Sequence, residues 1–392
     1  MEFDMKKDGC KYPIVFVHGM FGWGENEGIN KKMPYWGAST GSITEYLRQF
    51  GYECYAASVG PISSAWDQAC ELYAQLTGTQ VDYGKVHSEK SGHRQFGRTY
   101  SKPLFDGWSG DKKIHLVGHS FGGVSIRLLA HLLAYGAPEE VEASGENVSQ
   151  LFKGGQKDLI CSITAISSPL NGTSAYDVAK KIHLYNPLLF TSRYYSCILG
   201  RTPLSGKLVD FHLEQFGITN TPGKKDALPV SEAIANHKRT NDHIAFDLSS
   251  EGSRIINERV QIVPDIFYFS VPFNAVKYSG KKHCLKAVNT DFILMRMTSN
   301  LLIKHSDSNL LSTNYGNDGL VELTSACCPY NEPCKIYEKG KSVQKGVWNI
   351  MPVHIGDHGT PIGLFADKTQ TRDFYSELID LLKETEERTI VM

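Results

Sequence analysis

The chain has 392 residues, 41% hydrophobic and 21% charged, with a formal net charge of -1. That is ample apolar material for a large packed core, and the near-neutral balance gives no electrostatic footprint for nucleic acid or for an anionic membrane. No apolar run reaches membrane-spanning length, since Leu128–Ala137 is interrupted by His131 and ends at a glycine.

The N-terminal residues Met1 to Lys7 contain no apolar stretch and no signal peptide is visible, so a cytoplasmic location is expected unless a leader was removed, in which case the protein is secreted. Tyr12–Val17 is a short β-branched run followed by His18-Gly19 and reads as a buried strand ending in a loop. Ser42–Phe50 has a helical pattern, Cys54–Val59 reads as a second buried strand, and Trp66–Leu76 reads as a helix. Lys113–Val117 is a strand that runs into Gly118-His119-Ser120-Phe121-Gly122, and Val124–Ala134 then carries an apolar helical stripe. Ile160–Ile166 and Ile266–Val271 complete the buried strands. Strand–helix alternation of this kind argues an α/β fold, a mainly parallel central sheet flanked by helices, in one domain spanning 1–392.

Between about Ala175 and Asp247 the alternation breaks. Ala175–Leu189, Tyr194–Leu199, Leu208–Phe216 and Val230–His237 are helix-like and weakly strand-forming. Residues 175–247 therefore read as a helical insertion lying on the sheet, a lid over the site, with ordinary surface helices as the alternative. An apolar inner face exposed on opening is a liability unless it meets a lipid surface.

A serine between a strand and a helix in a G-x-S-x-G pentapeptide sits on a sharp turn, with glycines where backbones come too close for side chains. The turn also aims the first amides of the following helix at the place where an anionic intermediate forms. A serine hydroxyl needs a base, and that base an orienting carboxylate; on such a turn they follow in the order serine, acid, histidine. His358, in Gly356-Asp357-His358-Gly359, is the expected base, with His354 as runner-up. Asp318, in Gly316-Asn317-Asp318-Gly319-Leu320-Val321, reads as a carboxylate on a turn leading into a strand and is the expected acid. Asp357 is adjacent to the base and points away from it, while Asp291 and Asp307 read as structural. The oxyanion hole calls for two backbone donors, the amides of Phe121 and Met20.

Asp67, His87 and His93 lie in a polar stretch in which a loop must fold the two imidazoles together. Two histidines with two carboxylates would satisfy tetrahedral zinc, and solvated loop histidines are the alternative. Nine cysteines cannot all pair within one chain. Cys327, Cys328 and Cys334 can hold a local disulfide or a thiolate metal site, against free thiols, a usage that suits a reducing or anaerobic setting.

These residues resemble a known family. Tyr12-Pro13-Ile14-Val15 with His18-Gly19 and Gly22-Trp23-Gly24 is similar to the first strand and oxyanion loop of the zinc-containing thermoalkalophilic bacterial lipases, members of the α/β-hydrolase superfamily. Val59–Ser64 with Trp66-Asp67, Val81–Gly84 through Phe96–Tyr100, Asn317–Gly319, Lys345–Asn349 and Asp357-His358 resemble it too, so the likeness runs from about Tyr12 to Tyr375. It implies an α/β-hydrolase fold with a helical lid, a triad of Ser120, Asp318 and His358, and one structural zinc held by Asp67, His87, His93 and Asp242. The zinc would tie an excursion over residues 61–100 to the end of the insertion. There are two departures. Phe121 stands where thermophilic members carry glutamine, which implies a differently shaped acyl pocket. Thr360 and Phe365 stand where related enzymes place acidic calcium ligands, so calcium is not carried over.

The resemblance implies a carboxylic ester hydrolase, foremost a triacylglycerol lipase whose partner is a lipid or other hydrophobic ester at an interface. An open apolar cleft also admits other hydrophobic esters, synthetic polyesters included. Acyl transfer to an alcohol and short-chain carboxylester hydrolysis use the same triad and remain the alternative readings.

Overall fold

In the computed structural model the described residues are 10–176, 210–217, 240–279, 284–288, 290, 293–305 and 316–390. Thirteen strands are found among them. They are β1 (Ile14–Val17), β2 (Cys54–Ala57), β3 (Gln80–Asp82), β4 (Phe96–Thr99), β5 (Ile114–His119), β6 (Ile160–Ile166) and β7 (Phe267–Val271). Then follow β8 (Phe273–Asn274), β9 (Val276–Ser279), β10 (Cys284–Ala287), β11 (Cys334–Ile336), β12 (Trp348–Ile350) and β13 (His354–Ile355). Seven form the main sheet in the order β11-β12-β7-β6-β5-β1-β2, with every neighbouring pair parallel. β1, β5 and β6 are buried along their whole length, as expected of strands covered on both faces.

The chain moves outward from β1 to β2 and then returns to place β5 on β1's other side. Between β1 and β5 the direction of winding reverses, and in open parallel sheets the loops beyond the carboxyl ends of two such strands form a crevice. The loop after β1 and the turn after β5 meet there.

Four helices that matter for the site precede β6: α1 (Ile43–Arg48), α2 (Ala65–Thr77), α3 (Lys85–Ser91) and α4 (Phe121–Tyr135). Ser42 and Ser64 cap α1 and α2 by accepting the Glu45 and Asp67 amides, so each helix starts where a capping hydroxyl follows a turn. One face of the sheet packs on α2 and α4 through Ala69, Leu72, Ile126, Leu129 and Leu133. The other packs on Trp36, Leu47, Tyr375 and Leu382, the last two from the helix Lys368–Ile390. α4 is buried from Phe121 to Ala134, which accounts for its nearly continuous apolar sequence.

Two sequence expectations change, and a third lies mostly beyond the described residues. The insertion expected over 175–247 falls largely on residues 177–209 and 218–239, outside the described residues. Within it, Leu208–Phe216 was expected to be helical, yet its described part has only a single 3-10 turn, Glu214–Phe216. Polar anchors override the helical pattern: the Asp210 amide donates to Glu27, the His212 ring meets Glu71 at 2.9 Å, and Arg98 forks onto Asp210. Finally, the Asp318 turn leads not into a strand but into the helix Leu323–Cys327, because the Asp318 carboxylate accepts the amides of Leu320 and Val321 and folds the chain back. Among the described residues no helix is long and apolar enough to cross a membrane. Among the described residues Cys10, Cys54, Cys70, Cys161, Cys327, Cys328 and Cys334 are not joined in disulfides.

The turn after β5 depends on two glycines. A Cβ on Gly118 would lie 2.4 Å from the Gly123 nitrogen, and one on Gly122 would lie 2.2 Å from the Val17 carbonyl oxygen. These are backbone atoms that no rotamer change can move. We expect Gly122→Ala to lower the unfolding free energy by about 3 kcal/mol, seen as a lower urea midpoint at unchanged slope. Gly110→Ala, whose Cβ would meet only the Asp158 side chain at 3.6 Å, should leave the midpoint nearly in place.

Candidate active site

Ser120 closes β5 and immediately precedes α4, with φ 56 and ψ -129. Side chains rarely adopt positive φ, so the surrounding packing must hold this turn in place. The consequence is a hydroxyl standing proud of the sheet edge. His358 Nε2 lies 2.8 Å from Ser120 Oγ, and His358 Nδ1 lies 2.8 Å from Asp318 Oδ2. Asp318 is 1% exposed; its other oxygen takes the Leu320 and Val321 amides, and its carbonyl accepts the His358 amide at 2.8 Å. The acid therefore grips both ring and backbone of the histidine. The fold thus brings together the three residues expected from the sequence, from positions 120, 318 and 358.

The alternatives lie elsewhere. His354 stacks on Phe273, with ring centroids 5.1 Å apart. Asp357 turns its carboxylate back onto the Gly359 amide. Asp291 and Asp307 lie outside the described residues.

The loop after β1 runs against the serine: a Cβ on Gly19 would lie 2.6 Å from Ser120 Cβ. Hydrogen bonding fixes this loop. His18 accepts the Val59 amide at Nε2, 3.2 Å away, so its proton sits on Nδ1 and is donated to the Gly19 carbonyl at 2.9 Å. Full burial lowers the pKa of His18 to about 4, which keeps the ring neutral and this tautomer in place. The Gly22 amide donates to the same carbonyl at 3.0 Å. Because the peptide is planar and trans, holding the Gly19 carbonyl on one side turns the Met20 N–H to the other. Phe121 opens α4, so its N–H is one of those that no turn of the helix satisfies.

A second network was not anticipated from the sequence. The Gly19 amide donates to Tyr35 Oη at 3.0 Å, Tyr35 Oη donates to His119 Nδ1 at 2.6 Å, and His119 Nε2 donates to the His358 carbonyl at 2.9 Å. The direction of each bond follows from the last: a carbonyl only accepts, so His119 carries its proton on Nε2, its Nδ1 accepts, and the Tyr35 hydroxyl must donate to it. Burial holds the His119 pKa well below the usual histidine range. Three loops from three parts of the chain are thereby tied around the serine. The only sequence signal was that His119 occupies the variable position before the nucleophile; Tyr35 carried none.

A cluster apart from the triad comprises Asp67 in the first turn of α2, His87 on α3, His93 just after α3, and Asp242. One donor atom from each lies within 4.8 Å of the others. His87 Nε2 is 3.1 Å from Asp67 and 3.4 Å from Asp242, and His93 Nε2 is 3.2 Å from Asp242. His93 Nδ1 donates to the Arg94 carbonyl at 2.8 Å, which leaves the Nε2 lone pair facing the cluster. His93 Nε2 and Asp242 Oδ2 are buried and face each other at 3.2 Å without forming a well-aligned hydrogen bond. Buried polar atoms are rarely left so, and each costs free energy unless something compensates it. A bound cation would satisfy both and neutralise two buried carboxylates, so the donor set fits a metal ion. Trp66 stacks on His87, and Gln215 donates to Asp67 Oδ2 at 3.1 Å, which fixes two of the ligands from behind.

Known proteins share the fold of this chain. Lipase 1 of Staphylococcus aureus is 34% identical over 388 residues, covering 96% of this chain and 55% of that protein, so the chain spans about half the length of the curated relative it matches. The crystal structure of Staphylococcus hyicus lipase superimposes with a TM-score of 0.84 at 30% identity, covering 99% of each chain. EstA from Clostridium botulinum follows with a TM-score of 0.78 at 33% identity, covering 97% of this chain and 89% of that one. The shared architecture is the α/β-hydrolase fold. The family model described as "Lipase-like, C-terminal domain" matches residues 10–391, and the chain belongs to that family.

Proposed function

We propose that the protein is a serine carboxylic ester hydrolase acting on triacylglycerols and related hydrophobic esters. The observation that carries this reading is the relay from Ser120 Oγ through His358 to Asp318, with both links at 2.8 Å. Ser120 Oγ attacks the ester carbonyl while His358 Nε2 takes its proton, and Asp318 holds the Nδ1–H and stabilises the imidazolium that results. The carbonyl oxygen, now anionic, receives the Phe121 and Met20 amides, each contributing about 3–4 kcal/mol of barrier lowering. His358 returns the proton to the departing alcohol, leaving the acyl group on Ser120. Water, activated by the same imidazole, then releases the fatty acid. The restrained Gly19 carbonyl and the Tyr35–His119 bridge support this account, because they set the Met20 amide and the His358 backbone before substrate arrives.

We further propose zinc as the ion of Asp67, His87, His93 and Asp242, on the strength of the mixed nitrogen and oxygen donor set and its two uncompensated atoms. Bound there, zinc would supply positive charge and a cross-link between α2, the stretch after α3 and Asp242. With four protein ligands the role is structural rather than chemical.

Two experiments test these readings. On a soluble p-nitrophenyl ester, Ser120→Ala and Asp318→Asn should each lower kcat by about 10⁴-fold or more. Phe121→Ala should stay within about tenfold of wild type, because it removes a side chain and not an amide. A Phe121→Ala variant as inactive as Ser120→Ala would contradict the oxyanion assignment. Chelation should lower the melting temperature by on the order of 5 °C for an ion present at a thousandfold over its Kd, with initial rates at low temperature largely kept. Loss of turnover at an unchanged melting temperature would refute a structural role.

A further inference from the structure

The near-neutral net charge conceals a strong local imbalance. From Val276 to His305 the sequence holds six Lys and Arg residues, Lys277, Lys281, Lys282, Lys286, Arg296 and Lys304, against one acid, Asp291. That is a formal +5 within a chain of net charge -1. The described parts of this stretch are the antiparallel pair β9–β10 and the helix Ile293–His305, which packs on β10.

Two features mark the surface as built for a partner. Lys277 and Lys286 sit directly opposite each other in the β9–β10 register, both exposed. Like charges directly opposed on a two-stranded pair are destabilising, and neither lysine has an ion-pair partner among the described residues. On the helix, Ile293, Leu294 and Met297 are 72%, 49% and 61% exposed, whereas Ser299 and Leu302 on the opposite side are buried. At 100° per residue the three apolar side chains share an arc of about 160° with Arg296 and Lys304. A helix of a soluble domain normally turns polar residues outward. Exposed apolar groups flanked by cations, with no acid between Ile293 and His305, are instead the pattern of a helix that lies on a lipid surface.

We propose that β9–β10 and the outer face of the helix Ile293–His305 form a docking surface for an anionic lipid interface. Headgroup phosphates would relieve the Lys277–Lys286 repulsion while Ile293, Leu294 and Met297 enter the acyl boundary. The surface lies beside the chemistry: Met295 packs against Gly319, with its Cβ 3.0 Å from where a Gly319 Cβ would be, and Asn317 reaches the Ser299 carbonyl. Docking there would set the Asp318 loop at the edge of the lipid layer. The proposal deepens the ester-hydrolase reading and rests on it for its purpose.

Co-sedimentation with vesicles of phosphatidylglycerol and of phosphatidylcholine tests it, with hydrolysis of a soluble p-nitrophenyl ester measured in parallel. Wild type should prefer phosphatidylglycerol, and added salt should weaken that preference. Lys277→Gln with Lys286→Gln should reduce partitioning onto phosphatidylglycerol by about 30-fold, roughly fivefold for each charge near an anionic surface. Ile293→Ser with Met297→Ser should reduce binding to both lipids. Soluble-ester turnover should be unchanged in both variants, which also shows that they fold. Equal partitioning onto the two lipids, or partitioning untouched by either pair of substitutions, would overturn the proposal. Absence of soluble-ester turnover in wild type would instead overturn the ester-hydrolase reading, and the vesicle result would still judge the surface.

Discussion

The close approach of β1 to the turn that follows β5 is the constraint on which the rest of the molecule depends. Backbone touches backbone there, since Gly122 leaves no room for a Cβ beside the Val17 carbonyl. A serine held at positive φ is unfavourable in isolation, and only a well-packed sheet on both sides maintains it. The buried strands β1, β5 and β6 and the fully buried α4 supply that packing. The strain is local, whereas the stabilisation that offsets it is spread over the core.

Around this turn the polar groups are arranged so that each bond dictates the next. Val59 sets the His18 tautomer and His18 sets the Gly19 carbonyl, while the His358 carbonyl sets the His119 tautomer and, through it, the Tyr35 hydroxyl that accepts the Gly19 amide. A buried network with every member satisfied has one low-energy arrangement, and it rigidifies what it touches. The cluster of Asp67, His87, His93 and Asp242 shows a different pattern, with two buried atoms that face each other at 3.2 Å without a well-aligned hydrogen bond. A network closed by the protein alone needs no ligand, while this cluster's donor set has room for a cation.

Much of this was legible in the sequence because it follows local rules. Short apolar runs located β1, β2, β5, β6 and β7, and helical patterns over Ser42–Phe50 and Trp66–Leu76 located α1 and α2. The pentapeptide around Ser120 announced its own geometry, and chain order led to Asp318 and His358. Asp242 was found only through resemblance, since nothing near Thr240-Asn241-Asp242 distinguishes it. The Tyr35–His119 bridge was not legible, because it joins residues 84 positions apart through atoms that many buried side chains possess. The misread helix at Leu208–Phe216 failed for a related reason. Its apolar spacing suits a helix, but Glu27, Glu71 and Arg98, all remote in sequence, hold residues 210–213 in an irregular path. The basic stretch between Val276 and His305 is contiguous in the sequence, but a net charge averaged over the whole chain conceals it.

The central claim is that the fold poises Ser120 as a nucleophile, with His358 as its base. The most direct test is reaction with a p-nitrophenyl alkylphosphonate, read by intact mass and peptide mapping. The account predicts one phosphonyl group per chain, carried on Ser120, with no labelling of Ser120→Ala and much slower labelling of His358→Ala. Modification at another residue, or a Ser120 that stays unlabelled in folded protein, would contradict it.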